Sequence, residues 1–572
     1  MHDLIVRGAQ LVDGTGAAAR TADVAVDGGR ITEVGHLGAR AARRQVDADG
    51  LLMTPGFVDI HTHYDGQATW DPLLSPSCWH GVTTVVMGNC GVGFAPVHPG
   101  TEDWLIQLME GVEDIPGTAL AEGISWGWES FPEYLDALDA MPRALDIGAQ
   151  VPHGAVRAYV MGERGARNEP ATAEDIEAMA RIVLEGVRAG ALGFSTSRTV
   201  VHRALDGQPV PGTFAAEDEL RGLGRALAQA GRGVFEVAPA GVMGEDLLAP
   251  EKEVAWMARL SAETGRPVTF ALAQHNQAPD QWRDLLRLAA EATGEGAALR
   301  AQVMGRPTNL LVGWQTQTHP FQKRPTYQAI ADLPLAERMT HLRRPEVRAA
   351  ILSEQVAGGP MASIVSAGLD RIYPMGEPPD YEPGPERSVA AIAKAQGRDG
   401  EEVLYDLMMA NDGRELLMLA LLGYSAGNLD AMREMLLHPS AALGLSDGGA
   451  HCGAICDASM PTFMLTHWAR DRDRGPTLDL ELVVRKMTSE TAQTYGLADR
   501  GVVAAGAKAD FNLIDFDRLQ LRLPELVFDL PGGARRLVQE ADGYVATFVS
   551  GVQTMAEGRD TGSRPGRLVR GR

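Results

Sequence analysis

The chain of 572 residues lacks most of what would place it in a membrane or outside a cell. Its four cysteines, Cys78, Cys90, Cys452 and Cys456, are too few to cross-link a chain of this length, so each is read as a free thiol first. No run of about 18 apolar residues is present, which excludes an ordinary helical membrane span. Met1-His2-Asp3-Leu4 is not a basic segment leading into an apolar one, so no secretory signal is expected and a cytoplasmic location is. Positive charge is scarce: 52 Lys and Arg stand against 75 Asp and Glu, a net charge of −23. A surface of that sign repels a phosphate backbone and argues against nucleic acid as a partner. A small molecule is the partner class that remains, with a homo-oligomer left open.

What the chain does have is length, 45% hydrophobic residues, and two alternating patterns. Short apolar strands broken by Gly and Asp turns fill residues 1–55 and return in 500–555, as in Val24-Ala25-Val26 and Tyr544-Val545-Ala546-Thr547-Phe548-Val549. The two ends are expected to share one small β-domain. Between them, over 56–499, strands alternate with amphipathic helices, the mark of an α/β fold with parallel strands. The spacing predicts a helix over 172–189, opened by Thr172-Ala173-Glu174-Asp175 as a variant capping box and stopped at Gly190. Strands are expected over 233–238, 267–274 and 299–304. Residues 306–432 break the rhythm, turn helical near 414–422, and are read as an insertion or lid before the last strand. Residues 556–572, rich in Gly and Arg, read as a flexible tail.

Three strand ends carry candidate chemistry. In Gly56-Phe57-Val58-Asp59-Ile60-His61-Thr62-His63, alternation points His61 and His63 to one side, the arrangement a divalent metal requires of two imidazoles. A β-branched run ends at Asn89-Cys90-Gly91, where a thiolate would be a third ligand. A last apolar run ends at Ser446-Asp447-Gly448-Gly449, placing a carboxylate where it can hold metal and accept a proton from water. Other positions have weaker claims to substrate. Arg198 and His202 follow the fourth strand and either meet an anionic substrate group or belong to a solvated loop. His153 either lines the pocket or is an ordinary core histidine, and His451 orients substrate, binds metal, or is a bystander in the loop after Asp447. Cys452 and Cys456, spaced C-x3-C with no second pair, read as free thiols.

Together these segments resemble the amidohydrolase superfamily, and within it the N-acyl-D-amino-acid deacylases, or D-aminoacylases. The resemblance is carried by 55–63, by Gly81-Val82-Thr83-Thr84 through Gly91, by Trp126-Gly127-Trp128, Pro152-His153-Gly154, 190–196, Ser446-Asp447-Gly448-Gly449, and Gly496-Leu497-Ala498-Asp499-Arg500-Gly501. It implies a TIM-like (β/α)8 barrel with a β-sandwich built from both termini, and Zn2+-dependent hydrolysis of an amide C–N bond. It also implies Cys90 as the strand-two metal ligand and Asp447 as general base and metal neighbour.

The departures fall on strands five and six. The family ends each of these strands with a ligand histidine, whereas this chain aligns Ala238 and Leu272 there. Three accounts compete. Glu236, on the face of Ala238, could replace an imidazole. A bulge could bring in His275. Or one metal sits on His61, His63 and Asp447, with Cys90, in place of the family's tighter site; the count of one or two metals stays open. The expected activity is hydrolysis of an N-acyl-D-amino acid, with a cyclic amide or other C–N bond, or a noncatalytic binding barrel, as alternatives.

Overall fold

A computed structural model describes residues 1–316, 318–354, 365 and 368–571. Eight strands form its centre: β1 (Phe57–Asp59), β2 (Val82–Met87), β3 (Asp146–Pro152), β4 (Gly193–Ser197), β5 (Val234–Ala238), β6 (Val268–Leu272), β7 (Leu299–Val303) and β8 (Ala441–Leu443). Each pairs in parallel with its neighbour in chain order. Strands covered on both faces need apolar side chains throughout, and these are buried along almost their whole length. The sheet curls into a TIM-like barrel. Its edges meet just past the strand ends, where Thr62 bridges Gly448, Asp447 N–H donates to His61 O at 3.1 Å, and His63 N–H donates to Gly448 O at 2.8 Å. Closure therefore occurs where the candidate ligands stand.

The helix Ala173–Ala189 forms as expected. Thr172 and Asp175 make the reciprocal capping box, and Gly190, at φ +122°, ends the helix in a conformation that disfavours any residue with a Cβ. The terminal segments likewise share one nine-stranded sheet, in which Leu52–Pro55 lies between His2–Leu11 and Phe511–Ile514. Its core packs Val6, Leu11, Val24, Phe511 and Phe548. One piece leaves this sheet. The hairpin Glu525–Leu530 and Ala534–Val538 reaches the barrel, with Leu537 N–H on Cys452 O at 2.7 Å and Arg536 on Ser75.

Two expectations need correction. Residues 414–422 are not helical: Leu417–Leu422 is the central strand of a three-stranded sheet, between Thr308–Val312 and Ile372–Pro374. Leu, Met and Ala are good helix formers, but intrinsic propensity is a weak determinant and burial between two strands overrides it. This sheet and its helices have their own core around Trp314, Phe321, Tyr405 and Leu419. Leu311 N–H bonds Ala454 O at 2.8 Å, which sets the insertion beside the loop after β8. The last residues are not a free tail either. Arg559–Asp560 adds an edge strand, and 566–571 crosses the barrel floor, bridging Arg143 and Ile147 and bonding Gly571 N–H to Gly190 O at 2.9 Å. Among the described residues no helix is long and apolar enough to cross a membrane.

Candidate metal centre and its surroundings

The residues that meet at the barrel mouth come from chain ends of three strands. β1 stops at Asp59, but the backbone stays extended enough for Thr62 to bridge Gly448, so His61 and His63 flank it on one side with ring centroids 5.4 Å apart. β2 ends in a turn that takes Cys90 to φ +55°, and Asn89 ties it down by donating to Thr62 O at 3.1 Å and Val86 O at 3.0 Å. After β8 the chain turns through Asp447 at φ +49°. A left-handed conformation is uncommon for a residue with a Cβ and costs roughly 1–3 kcal/mol, held here by the surrounding bonds.

These turns deliver one convergent donor set. A nitrogen each of His61 and His63 and the Cys90 sulfur lie within 4.8 Å of one another. Cys90 Sγ is 3.4 Å from His61 Nε2, and Asp447 Oδ1 is 3.4 Å from His61 Nε2 and 3.5 Å from His63 Nε2. The rear of each ring is held as well. His61 Nδ1 meets Gln302 Oε1 at 2.8 Å, and His63 Nδ1 faces Glu113 Oε1 at 3.3 Å, out of line for a hydrogen bond. Partners of this kind fix tautomer and ring direction in metal sites.

The charges are tightly opposed. Burial holds the His61 ring neutral, its pKa near 4. Burial also works against a charged His63, but the carboxylates of Glu113 and Asp447 outweigh it and lift that ring to about 9. Burial would raise Asp447 too, yet the bond to His63 and the two imidazoles keep its carboxyl well below the usual range. Burial pushes the Cys90 thiol well up, so a cation is what would ionise it.

Glu236 joins this group through Cys90, whose N–H donates to its Oε2 at 3.0 Å. Its other oxygen is buried with no hydrogen-bond partner, and burial pushes its carboxyl to about 8. Buried carboxylate oxygens are rarely left alone in native proteins. A donor set of two imidazoles, a thiol and a carboxylate, with an orphaned oxygen alongside, fits a divalent cation.

Ala238 and Leu272, at the ends of β5 and β6, are buried and offer no ligand. His275 does not replace them: its Nδ1 accepts Ala278 N–H at 3.2 Å and its Nε2 faces Gln281. Two residues expected to meet substrate are engaged elsewhere. His153 is fully buried, with Nδ1 on Thr196 Oγ1 at 2.8 Å and Nε2 on Glu219 at 3.0 Å; it is the core histidine of the alternative reading. Arg198 has its Nε on Glu253 and its Nη1 on Ala215 O at 2.7 Å. His451 is brought to the site. Its backbone N–H bonds Glu113 O, its Nε2 lies 3.8 Å from Glu113 Oε2, and its side chain stays 27% exposed at the mouth. His202 hangs from Ser197 Oγ by its Nδ1 at 3.0 Å, in the field of His63, His451, Asp447 and His61. Cys452 and Cys456 are free and buried.

Glu113 and Gln302 escape the sequence reading. Glu113 ends an amphipathic helix, Glu102–Glu113, where nothing distinguishes it from a surface glutamate. Gln302 does carry a signal: an amide inside an apolar barrel strand requires a partner.

A model of the amidohydrolase family matches residues 44–555. The D-aminoacylase of Alcaligenes xylosoxydans xylosoxydans is 29% identical over 574 residues, covering 99% of this chain and 97% of its own. The N-acyl-D-glutamate deacylase of the same organism is 28% identical over 573 residues, covering 99% and 96%. The crystal structure of N-acyl-D-glutamate deacylase from Bordetella bronchiseptica, complexed with zinc and a phosphonate mimic of the tetrahedral intermediate, shares the fold at a TM-score of 0.65. It is 24% identical and covers 100% of this chain and 99% of that one. With nearly the whole chain matched and the strand-end donors in place, this protein belongs to the amidohydrolase family.

Proposed function

We propose that this amidohydrolase cleaves the amide bond of an N-acyl-D-amino acid, using a single Zn2+ held by His61, His63, Cys90 and Asp447, with Glu236 as an additional ligand. The observation that carries the reading is that Asp447 Oδ1 lies within 3.5 Å of both His61 Nε2 and His63 Nε2, with the Cys90 sulfur 3.4 Å from His61 Nε2. Two nitrogens with sulfur and oxygen form a borderline-soft set suited to zinc. Ala238 and Leu272 supply no donor for a second ion, which favours one. The relatives that act on N-acyl-D-amino acids support the substrate class.

A cation bound there polarises an amide carbonyl and makes water more acidic. The chain's own groups do the rest. Asp447, ionised at neutral pH, accepts the proton of the attacking water and passes it to the leaving nitrogen. Gln302 holds the His61 imidazole by a hydrogen bond, and the Glu113 carboxylate faces that of His63 as a charge partner. His451, partly exposed at the mouth, meets the substrate. The insertion is tied by Leu311 N–H to Ala454 O, in the loop that carries His451.

Elemental analysis of protein purified without chelator tests the first half: about one ion per chain is expected, and its loss in His61→Ala. If neither protein holds stoichiometric metal, the reading falls. A panel of N-acyl-D-, N-acyl-L- and cyclic amides tests the second half. Turnover confined to cyclic amides would replace the substrate class while leaving the metal centre standing.

A further inference from the structure

A large cavity lies away from the metal centre, at the opposite end of the barrel. It holds about 1400 Å³ between the strand starts, the terminal β-domain and the 565–571 segment. Its lining inverts the charge of the protein. Eight Lys and Arg face three Asp and Glu there, in a chain whose net charge is −23.

The three acids are already neutralised. Asp146 lies between Arg500 at 2.6 Å and Lys508 at 2.9 Å, Asp499 meets Arg500 at 2.9 Å, and Glu490 meets Lys486 at 2.6 Å. Five arginines have no carboxylate among the described residues: Arg30, Arg232, Arg266, Arg300 and Arg567. Four of them use part of the guanidinium on main-chain carbonyls, of Gly506, of Val187 and Arg188, of Gly231 and of Pro439. The remaining N–H groups are uncommitted, and Arg266 Nε is buried without a partner. The fifth, Arg567, bonds only through its backbone.

Their placement is regular. Arg232 and Arg266 precede β5 and β6 by two residues, and Arg300 is the second residue of β7, so three adjacent strands each present a guanidinium at the floor. Arg567 faces them from the segment that lies along β3. A concave, partly enclosed cavity with this lining focuses positive potential, and the guanidinium fork matches phosphate oxygens bidentately. The space is too large for a single phosphate and suits a ligand with several anionic groups.

We propose that the barrel floor is a binding site for a small multivalent anion of the phosphate type, a pyrophosphate or a nucleotide polyphosphate. Bound there, the anion cross-links the strand starts to the C-terminal segment and stabilises that junction. The site is independent of the chemistry at the metal centre.

Titration calorimetry and thermal melting at low ionic strength, with inorganic pyrophosphate and with ATP as separate probes, test it. Saturable binding that raises Tm is expected. Equal affinities would identify the phosphates as the whole of the ligand, and about tenfold tighter ATP would identify a nucleotide; both support the site. Arg567→Glu, a change at an exposed position, and Arg300→Gln are each expected to weaken binding at least tenfold. Arg221→Gln, which removes a cation from an outer helix, should leave it unchanged. The proposal is overturned if neither probe binds at millimolar concentration, or if the two floor variants bind as the wild type does.

Discussion

The two ends of the barrel are built from the same eight strands but treat their charges in opposite ways. At the floor, Asp146 is satisfied from three sides: by Arg500, by Lys508 and by the Arg567 N–H at 2.9 Å. At the mouth, Asp447 sits in a strained turn beside two imidazoles, and Glu236 keeps one oxygen with no partner. A satisfied buried carboxylate stabilises the fold, whereas an unsatisfied one marks where a ligand is needed. Substituting each aspartate separates these roles.

The largest effect is expected at the mouth. Asp447→Asn removes the proposed proton acceptor and should lower kcat by about 10³-fold or more, within the range for a lost general base combined with a weakened metal set. Its Tm should also fall, because the folded state holds this carboxyl well below its ordinary range through the bond to His63 and the two imidazoles, and Asn forfeits that stabilisation. Steady-state kinetics and a melting curve on the same preparation check both halves. Turnover near the wild-type value would remove Asp447 from the mechanism.

Asp146→Asn should differ from Asp447→Asn in turnover, lowering stability alone. It leaves Arg500 and Lys508 buried without their shared partner, a loss of about 3 kcal/mol by the measure of broken buried pairs, while kcat is untouched. The pH dependence has a definite sign. The bonds to Lys508, Arg500 and the Arg567 N–H outweigh burial and hold the Asp146 pKa below its ordinary 3.8. A depressed carboxyl contributes stability above that value and loses it as pH falls through the folded pKa. Wild-type unfolding free energy should therefore drop below pH 4 more steeply than that of Asp146→Asn. Parallel acid curves would show that the floor network is no more than decorative.

The same contrast explains what the sequence made legible. His61, His63, Cys90 and Asp447 could be read because each ends an apolar run, where strand alternation or a glycine turn dictates where the side chain goes. Hydrophobic period alone pointed to parallel strands alternating with helices and to strands at both ends of the chain, while the closed barrel was what the family resemblance implied. Residues whose role depends on a distant partner could not be read this way. His153 looked available for substrate until Glu219, 66 residues on, closed its second nitrogen. Glu253 did the same to Arg198. Leu417–Leu422 was read as a helix because its composition is helical and its flanking strands are 109 and 45 residues upstream, counted from Leu417 to Thr308 and to Ile372. The Gly- and Arg-rich end reads as solvated, although its backbone hydrogen bonds are taken up by the floor.

A smaller effect is expected where the mouth is supported from behind. Gln302→Leu keeps the volume of the side chain but removes the acceptor at His61 Nδ1, freeing the ring to turn. Partners of metal-ligating histidines are worth about 10–100-fold in metal affinity, and a loss in that range is expected in a chelator competition assay. Wild-type affinity would show that the barrel wall, not the hydrogen bond, orients His61. The result bears directly on the contrast, since Arg300, two residues earlier on the same face of β7, is assigned to the floor.

The smallest effects fall on the two ends of one helix. At the start of Ala173–Ala189, Thr172 caps with its side chain, accepting Asp175 N–H, while at the other end Arg232 reaches across to the carbonyls of Val187 and Arg188. The helix dipole favours both arrangements, an oxygen at the N-terminus and a cation at the C-terminus. Thr172→Ala should cost about 1 kcal/mol, the usual value of an N-cap. Arg232→Gln should cost less, about 0.5 kcal/mol, because a screened charge near the last turn is worth no more than that at a partly exposed site. Urea unfolding resolves the two. A cost for Arg232→Gln well above that of Thr172→Ala would mean that this arginine is at the floor mainly to hold the helix, which would leave the anion site resting on Arg266, Arg300 and Arg567.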